Sequence, residues 1–256
     1  MRRRSCLSSG LALAAAGLGL GAGSARAGLP ELIAQTKPSV LPVGGFDALA
    51  SPRFAFRGTA FIVADGRLAV TNAHVVADDK IKQWALQLPP AGGGPSWRMA
   101  EVIARDAAHD LALLRIEGDP LPPLRLGAPE GVREGQAVAL MGFPIGGVLG
   151  FRPVTHRGIV SSIAAIVLPA ATASQLGQRA VAQIRAGGFD IYQLDATAYP
   201  GNSGGPVLNA DSGEVVAVIN MVLTKGSRES ALQHPSGISY AIPVRWVHEL
   251  LAPHWR

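Results

Sequence analysis

The sequence predicts an all-β fold, and two observations support this prediction. Many short apolar runs of strand length follow one another between positions 59 and 242, and Gly, Pro, Asn and Asp separate them. Only two segments place apolar residues at helical spacing. Many short strands with few helices are typical of an all-β architecture.

The first predicted element is a β-hairpin. Residues 59–64 and 67–71 are apolar runs, and Asp65-Gly66 between them favours a tight type I′ turn. Further strand-like runs follow along the chain, at 110–116, 136–141, 158–163, 206–208, 214–220 and 237–242. Turn-forming residues separate these runs, which is the pattern expected for antiparallel strands.

Two helices and one connection complete the predicted elements. Residues 171–186 are rich in alanine with apolar residues at helical spacing, and residues 243–251 place Val244, Val247 and Leu251 on one face. Residues 118–129 contain four prolines and no regular pattern, which favours an interdomain connection. The predicted organisation is an N-terminal β domain at 28–117, a connection at 118–135 and a C-terminal β domain at 136–256, with the alanine-rich helix inserted in it.

The first 27 residues predict a cleaved export signal. Arg2, Arg3 and Arg4 precede an uncharged run at 7–20, and Ala25-Arg26-Ala27 is a small-x-small cleavage pattern. The apolar run is shorter than the roughly 20 residues that span a bilayer, so we expect cleavage after Ala27 and no membrane anchor. The predicted location is periplasmic or secreted, and both the general secretory route and the twin-arginine route remain open.

Composition limits the classes of function. The chain has 23 basic and 18 acidic residues. Four basic residues and no acidic ones lie in the export signal, so the mature chain has 19 basic and 18 acidic residues. Because these charges nearly balance, no nucleic-acid-binding face is expected. The single cysteine, Cys6, also lies in the signal, which leaves no disulfide. No histidine shows metal-ligand spacing, so we expect neither metal nor cofactor.

Three residues suggest nucleophilic catalysis. Ser203 lies in the glycine-rich stretch YPGNSGGPVL, His74 follows the second strand of the predicted hairpin, and Asp110 precedes an apolar strand. Singly, each residue type more often has a structural role. Together they supply a nucleophile, a base and a carboxylate that orients the base, which an acyl-transfer site requires.

The stretches around these residues resemble a known family. TNAHVV at 71–76, HDLALLRI at 109–116 and PGNSGGPV at 200–207 are similar to the three signatures of trypsin-like proteases of the HtrA/Deg kind. This resemblance implies two packed six-stranded antiparallel barrels, with His74 and Asp110 in the first and Ser203 in the second. It also implies an oxyanion hole formed by the backbone N–H groups of Gly201 and Ser203, and it alone suggests a homotrimer.

The resemblance extends to the substrate. Thr197, six residues before the serine, would lie at the base of the pocket for the side chain that precedes the cut. Because Thr197 is uncharged, we expect cleavage after small or medium aliphatic residues rather than after Lys or Arg. The predicted substrate-binding residues are Thr197, Ala198, Ile219, Asn220 and Met221. The last three form a strand that would pair with an extended, unfolded polypeptide.

Two alternatives compete with this prediction. Gly201-Asn-Ser-Gly-Gly205 also fits the G-x-S-x-G elbow of α/β-hydrolases, but a proline and a strand follow it, and the chain lacks β-α-β alternation. The other alternative is a catalytically silent module that keeps the barrels and binds extended peptides without cutting them. The presence of all three catalytic residue types favours the protease.

Overall fold

The computed structural model describes residues 28–89, 95–144, 146, 150–166, 189–220 and 237–255. Their strands form two closed six-stranded barrels in which all adjacent strands pair antiparallel. This architecture confirms the predicted all-β fold of two six-stranded barrels. The alanine-rich helix predicted at 171–186 lies outside the described residues.

The first barrel contains strands β1 to β6, in the spatial order β1-β2-β3-β6-β5-β4. A short helix, α1 (Leu29–Thr36), precedes it. Its strands are β1 (Val40–Phe46), β2 (Phe54–Val63), β3 (Leu68–Asn72), β4 (Trp84–Leu88), β5 (Ser96–Asp106) and β6 (Leu111–Ile116). The side chains inside the barrel are almost all aliphatic, and they include Leu41, Ile62, Leu86 and Leu114.

The second barrel has the spatial order β10-β11-β12-β9-β8-β7. Its strands are β7 (Ala137–Gly142), β8 (Val154–Ile166), β9 (Phe189–Asp195), β10 (Pro206–Asn209), β11 (Val215–Asn220) and β12 (Ile238–Pro243). The segment between the barrels forms backbone hydrogen bonds with both of them. The N–H of Leu124 donates to the carbonyl oxygen of Ile62 at 2.8 Å, and the N–H of Gly127 donates to the carbonyl oxygen of Val215 at 2.8 Å.

A helix at the end of the chain packs against both barrels. Helix α2 (Val244–Leu251) buries Val244, Val247 and Leu251, the face that the sequence predicts. A single apolar cluster joins this face to residues of β2, β6, β7 and β10, among them Phe61, Leu113, Met141 and Leu208. The buried apolar interface therefore fixes the two barrels against each other. Among the described residues, no helix is long and apolar enough to cross a lipid bilayer.

The predicted hairpin is present, but its turn differs from the prediction. Val63 pairs with Leu68, which leaves four residues in the loop instead of the two of a type I′ turn. Ala64 and Gly66 have φ angles of 57° and 84°, and the Asp65 carboxylate accepts the N–H of Arg67 at 3.0 Å. The loop is wider because β2 ends one residue before the predicted run does, and β3 begins one residue after the start of its predicted run.

Candidate active site

His74 and Asp110 are 36 residues apart in the sequence but meet in the structure because their strands are neighbours. Strands β3 and β6 pair in a register that places Asn72 opposite Leu111. His74 begins a 3₁₀ helix of three residues shortly after β3, and Asp110 is the last residue before β6. As a result, His74 Nδ1 lies 2.6 Å from Asp110 Oδ2.

The Asp110 carboxylate accepts three hydrogen bonds and thereby fixes the orientation of the imidazole. Oδ1 accepts the backbone N–H of His74 at 2.8 Å, and Oδ2 accepts both His74 Nδ1 and Asn220 Nδ2, the latter at 2.8 Å. An ionised carboxylate can only accept, so Nδ1 must carry the hydrogen. In the neutral ring Nε2 then keeps its lone pair, which is the tautomer that a general base requires.

Ser203 lies in a tight turn that leads into β10, and we call residues 199–205 the serine turn. Only 6% of the surface of Ser203 is exposed. Gly201 and Gly204 have φ angles of 104° and 84°, in the left-handed region that glycine tolerates best. At either position a β-carbon would lie 2.2 Å from a backbone carbonyl oxygen. Both the backbone angles and the available space therefore require glycine.

The backbone amides of the serine turn fall into two groups. Asn202, Gly204 and Gly205 donate their N–H groups to protein carbonyl oxygens at 2.9 to 3.0 Å. Within the described part of the chain, the N–H groups of Gly201 and Ser203 donate to no protein group. These are the two amides for which the family resemblance implies an oxyanion hole, and that assignment stays a prediction.

The serine turn packs against the strands that lead to His74. A β-carbon at Gly58 would lie 2.9 Å from the side chain of Val75 and 3.0 Å from the carbonyl oxygen of Ser203. The His74 helix and the serine turn therefore both pack so closely against Gly58 that a side chain at this position would not fit. Among the described residues, no hydrogen bond joins Ser203 Oγ to His74.

Thr59 holds the serine turn from the first barrel, a role that the sequence analysis missed. Its hydroxyl donates to the carbonyl oxygen of Gly201 at 2.7 Å and accepts the N–H of Phe143 at 3.2 Å. Its backbone N–H donates to the carbonyl oxygen of Ser203 at 2.9 Å, and its own carbonyl accepts the hydroxyl of Thr71 at 2.7 Å. A buried hydroxyl in the first strand of an apolar hairpin is the signal that could have identified it.

The substrate-binding residues predicted on β11 have other contacts in the structure. Asn220 is fully buried and hydrogen-bonds Asp110, so its side chain supports the His–Asp pair. Ile219 is also fully buried, and its backbone N–H and C=O both bond to glycines of the serine turn. The Ile219 side chain therefore packs in the barrel core, and the role of this strand in binding a substrate backbone stays a prediction. Met221 lies outside the described residues.

The other predicted pocket residues lie just before the serine turn. Thr197 is half-buried, and Ala198 is 8% exposed. The preceding residue, Ala196, is anchored to β12 because its carbonyl oxygen accepts the hydroxyl of Ser239 at 2.9 Å. The segment that would line the pocket is thus fixed by the barrel on one side and by the turn on the other.

Two closed six-stranded barrels, with a His–Asp pair in one and a glycine-flanked serine in the other, define the class of trypsin-like proteins. The chain belongs to the trypsin-like peptidase domain family, because residues 58–218 match the model of that family. The predicted resemblance to HtrA/Deg-type protease domains is likewise confirmed by the relatives that the chain matches.

Two curated relatives illustrate this likeness. The chain is 34% identical over 230 residues to a mitochondrial serine protease HTRA2 of Bos taurus, covering 87% of this chain and 42% of that protein. It is 32% identical over 192 residues to a probable periplasmic DegP-like serine endoprotease of Halomonas elongata, covering 73% and 32% respectively. The chain therefore spans less than half the length of either relative.

The solved structures agree on the fold. An HtrA-type protease, AlgW, with a tripeptide is 24% identical and superposes with a TM-score of 0.64, over 88% of this chain and 63% of that one. The same protease with a decapeptide gives a TM-score of 0.63 at 23% identity. At this level of identity the likeness establishes a shared fold.

Replacing Thr59 with valine tests whether its hydroxyl holds the serine turn. Thr59→Val keeps the branched shape but leaves the carbonyl of Gly201 and the N–H of Phe143 without this partner. We expect the free energy of unfolding to fall by about 1–3 kcal/mol in urea titrations. Thr59→Ser retains the hydroxyl and is the matched control. Equal stability of the valine and serine variants would contradict this role.

Proposed function

We propose that this chain is an exported serine endopeptidase that cleaves unfolded or misfolded polypeptides. One observation carries the proposal: an oriented His74–Asp110 pair lies beside a serine turn whose Gly201 and Ser203 amides have no protein partner among the described residues. This arrangement can supply both the base and the oxyanion donors of acyl transfer. The names of the curated relatives, which are serine proteases, support the same class.

In the acylation step, Ser203 Oγ attacks the carbonyl carbon of the scissile peptide bond while His74 Nε2 takes the hydroxyl proton. The N–H groups of Gly201 and Ser203 hold the negative oxygen of the tetrahedral intermediate. Loss of one such donor typically lowers the rate by about 10²–10³. Asp110 stabilises the imidazolium, and Asn220 keeps the carboxylate in place through its hydrogen bond of 2.8 Å.

In the second half of the cycle, His74 returns its proton to the leaving amine, and the C–N bond breaks. A water molecule then attacks the acyl-enzyme with His74 again acting as the base, which regenerates Ser203. The catalytic hydrogen bond between serine and histidine is often long before substrate binds. We therefore propose that the bond between Ser203 and His74 forms when a substrate fills the site.

The absence of a bond between Ser203 Oγ and His74 in the described part of the chain also supports a second candidate function. A chain with the same barrels could bind extended peptides and leave them uncut. This candidate predicts that the natural protein and a serine variant bind a peptide equally and that neither changes it. The protease proposal is favoured because, among the described residues, the N–H groups of Gly201 and Ser203 have no protein partner, and because the Asp110 carboxylate favours the His74 tautomer that a general base requires.

The proposed substrate is an extended chain with a small or medium aliphatic residue before the cut. Thr197 and Ala198 contribute no charge to the pocket beside the serine turn, so a Lys or Arg side chain would find no carboxylate there. An extended backbone can be recognised by strand addition, which folded proteins do not permit. The solved HtrA-type neighbours are complexes with a tripeptide and a decapeptide, which agrees with a peptide as the class of substrate.

The nucleophile is tested with Ser203→Ala and with Ser212→Ala as the matched control, since Ser212 is an exposed serine of the β10–β11 turn. Each protein is incubated with a reduced and alkylated polypeptide, and new chain termini are mapped by mass spectrometry. We expect Ser203→Ala to lower the cleavage rate by about 10⁴-fold or more, and Ser212→Ala to leave it unchanged. Equal cleavage by Ser203→Ala would overturn the assignment.

A fluorophosphonate probe separates a resting protease from a silent module. The probe reacts with an activated serine hydroxyl without needing a cleavable peptide. Labelling of Ser203 without cleavage would indicate a competent site that lacks a suitable substrate. If neither labelling nor cleavage occurs while peptides still bind, the silent module is the correct function.

The pocket assignment is tested at Thr197. Thr197→Asp places a carboxylate where we expect the side chain before the cut to bind, and Thr197→Asn is its uncharged match in size. We expect cleavage after Lys and Arg, relative to aliphatic residues, to rise by about 10-fold or more in the aspartate variant alone. Identical cut profiles for the two variants would show that Thr197 does not contact this side chain.

Export is tested on the full chain in a Gram-negative host. We expect the protein recovered from the periplasm to begin at Gly28, because cleavage is proposed after Ala27. Ala27→Phe should block processing, since a large residue does not fit the small-x-small pattern. Recovery of the intact chain from the cytoplasm would count against export. The relatives differ here, one being named mitochondrial and the other periplasmic.

A further inference from the structure

A second carboxylate–imidazole pair lies in the turn between β5 and β6. Asp106 Oδ2 and His109 Nδ1 are 2.6 Å apart. The other oxygen of this carboxylate accepts the backbone N–H groups of Ala108 and His109, at 3.0 and 3.1 Å. Only 16% of the His109 side chain is exposed. The next residue in the chain is Asp110, so this pair directly precedes the carboxylate of the candidate active site.

The His109 ring also joins this turn to the second half of the chain. It stacks on Trp246 of α2, with ring centroids 3.6 Å apart and an interplanar angle of 15°. The same ring contacts Phe189 of β9 edge-on, with ring centroids 4.7 Å apart and an interplanar angle of 75°. Phe189 and Trp246 are themselves 6.0 Å apart at 82°. The imidazole thus completes an aromatic cluster whose other two members belong to α2 and the second barrel.

Asp110 needs support because its backbone conformation is unfavourable. Its φ angle is 53°, a left-handed value that is energetically unfavourable for any residue with a side chain. On one side, the Asp110 carbonyl oxygen accepts the N–H of Ala73 at 3.1 Å and Asn72 Nδ2 at 3.0 Å. On the other side, the peptide that enters Asp110 comes from His109, which the Asp106 carboxylate and Trp246 hold.

We propose that His109, held by Asp106 and by the stack on Trp246, is a positioning residue that keeps Asp110 aligned with His74. Because Trp246 belongs to α2, the packing of this helix also contributes to the alignment of Asp110 with His74. The inference rests on the proposed function, since Asp110 is the group that orients the base there.

A turn that merely joined two strands would not need this imidazole. The hairpin turn between β2 and β3 has a similar carboxylate, Asp65, whose Oδ1 accepts the N–H of Arg67 at 3.0 Å. Within the described structure, Asp65 has no ion pair, and yet that turn closes. The additional bond to His109 and the aromatic stack therefore exceed what turn formation requires.

The Asp106 carboxylate is suited to hold an imidazole near neutral pH. Burial raises the pKa of Asp106, but the hydrogen bond and charge of His109, together with two backbone N–H groups, outweigh it and keep the pKa below its ordinary value. Because the pKa of Asp106 is lower in the folded than in the unfolded protein, the ionised carboxylate stabilises the folded state. This stabilisation is fully present above the pKa of the unfolded state, and it is lost as the pH falls through the pKa of the folded state. Assays near pH 7 therefore examine the intact pair.

Two variants and one control separate positioning from turn formation. His109→Phe keeps the aromatic stack on Trp246 and removes the bond to Asp106. Asp106→Asn keeps an acceptor for the backbone N–H groups and removes the negative charge. Asp65→Asn makes the same change in the exposed turn between β2 and β3. Thermal unfolding of each full chain establishes that it is folded before any activity is measured.

The measurements are kcat and KM on a cleavable peptide, and the proton resonance of the His74–Asp110 hydrogen bond. We expect His109→Phe and Asp106→Asn to lower kcat by about 10-fold while KM changes by less than about twofold, because a misaligned base slows chemistry rather than binding. The low-field proton NMR signal of His74 Nδ1–H should shift or broaden in both. Asp65→Asn should change neither quantity.

The outcomes separate this proposal from the proposed function. If the natural chain neither cleaves peptides nor reacts with a fluorophosphonate, the protease function fails, and the NMR signal still shows whether His109 aligns the pair. If the natural chain is active and both folded variants keep kcat and the low-field signal, His109 is not a positioning residue. If one variant fails to fold, the other and the NMR signal decide the question.

Discussion

The candidate site depends on hydrogen bonds that cross from one barrel to the other in both directions. Thr59 of the first barrel bonds to Gly201 and Ser203 of the second, at 2.7 and 2.9 Å. Asn220 of the second barrel bonds to Asp110 of the first, at 2.8 Å. Neither barrel contains a complete candidate site, so a displacement between them would disturb the His74–Asp110 pair and the serine turn together. The functional geometry is therefore a property of the interface.

The apolar packing beneath these bonds explains why the interface can hold them. Leu113 of the first barrel and Met141 of the second belong to the same buried cluster, and α2 adds Val247 to it. Close-packed interiors resist displacement, because even small shifts lose contacts and open voids. Closure also removes the strand edges that could otherwise pair with another chain. The scaffold thus keeps the polar groups within hydrogen-bonding distance.

The sequence predicted those features that have a local signal. The strand and turn pattern gave the first hairpin, and the three motifs located His74, Asp110 and Ser203. Strands β1, β4, β5 and β9 were not predicted. In β1, Pro42, Gly44 and Gly45 give the appearance of a turn, although β2 and β4 pair with this strand. The contacts of Thr59 and Asn220 could not be predicted, because they depend on which strands become neighbours after both barrels close.

The backbone of Asp110 shows why such a site must be supported from several sides. A glycine would adopt its φ angle of 53° with less strain, but glycine has no carboxylate to orient His74. The left-handed conformation costs about 1–3 kcal/mol, and it persists only where the surroundings determine it. The backbone carbonyl of Asp110 accepts two hydrogen bonds, and its carboxylate accepts three. These five bonds offset the strain, and they bind Asp110 to Asn72, Ala73, His74 and Asn220. Asp110 is thus among the most constrained residues in the site, which suits its proposed role of holding His74 in one orientation.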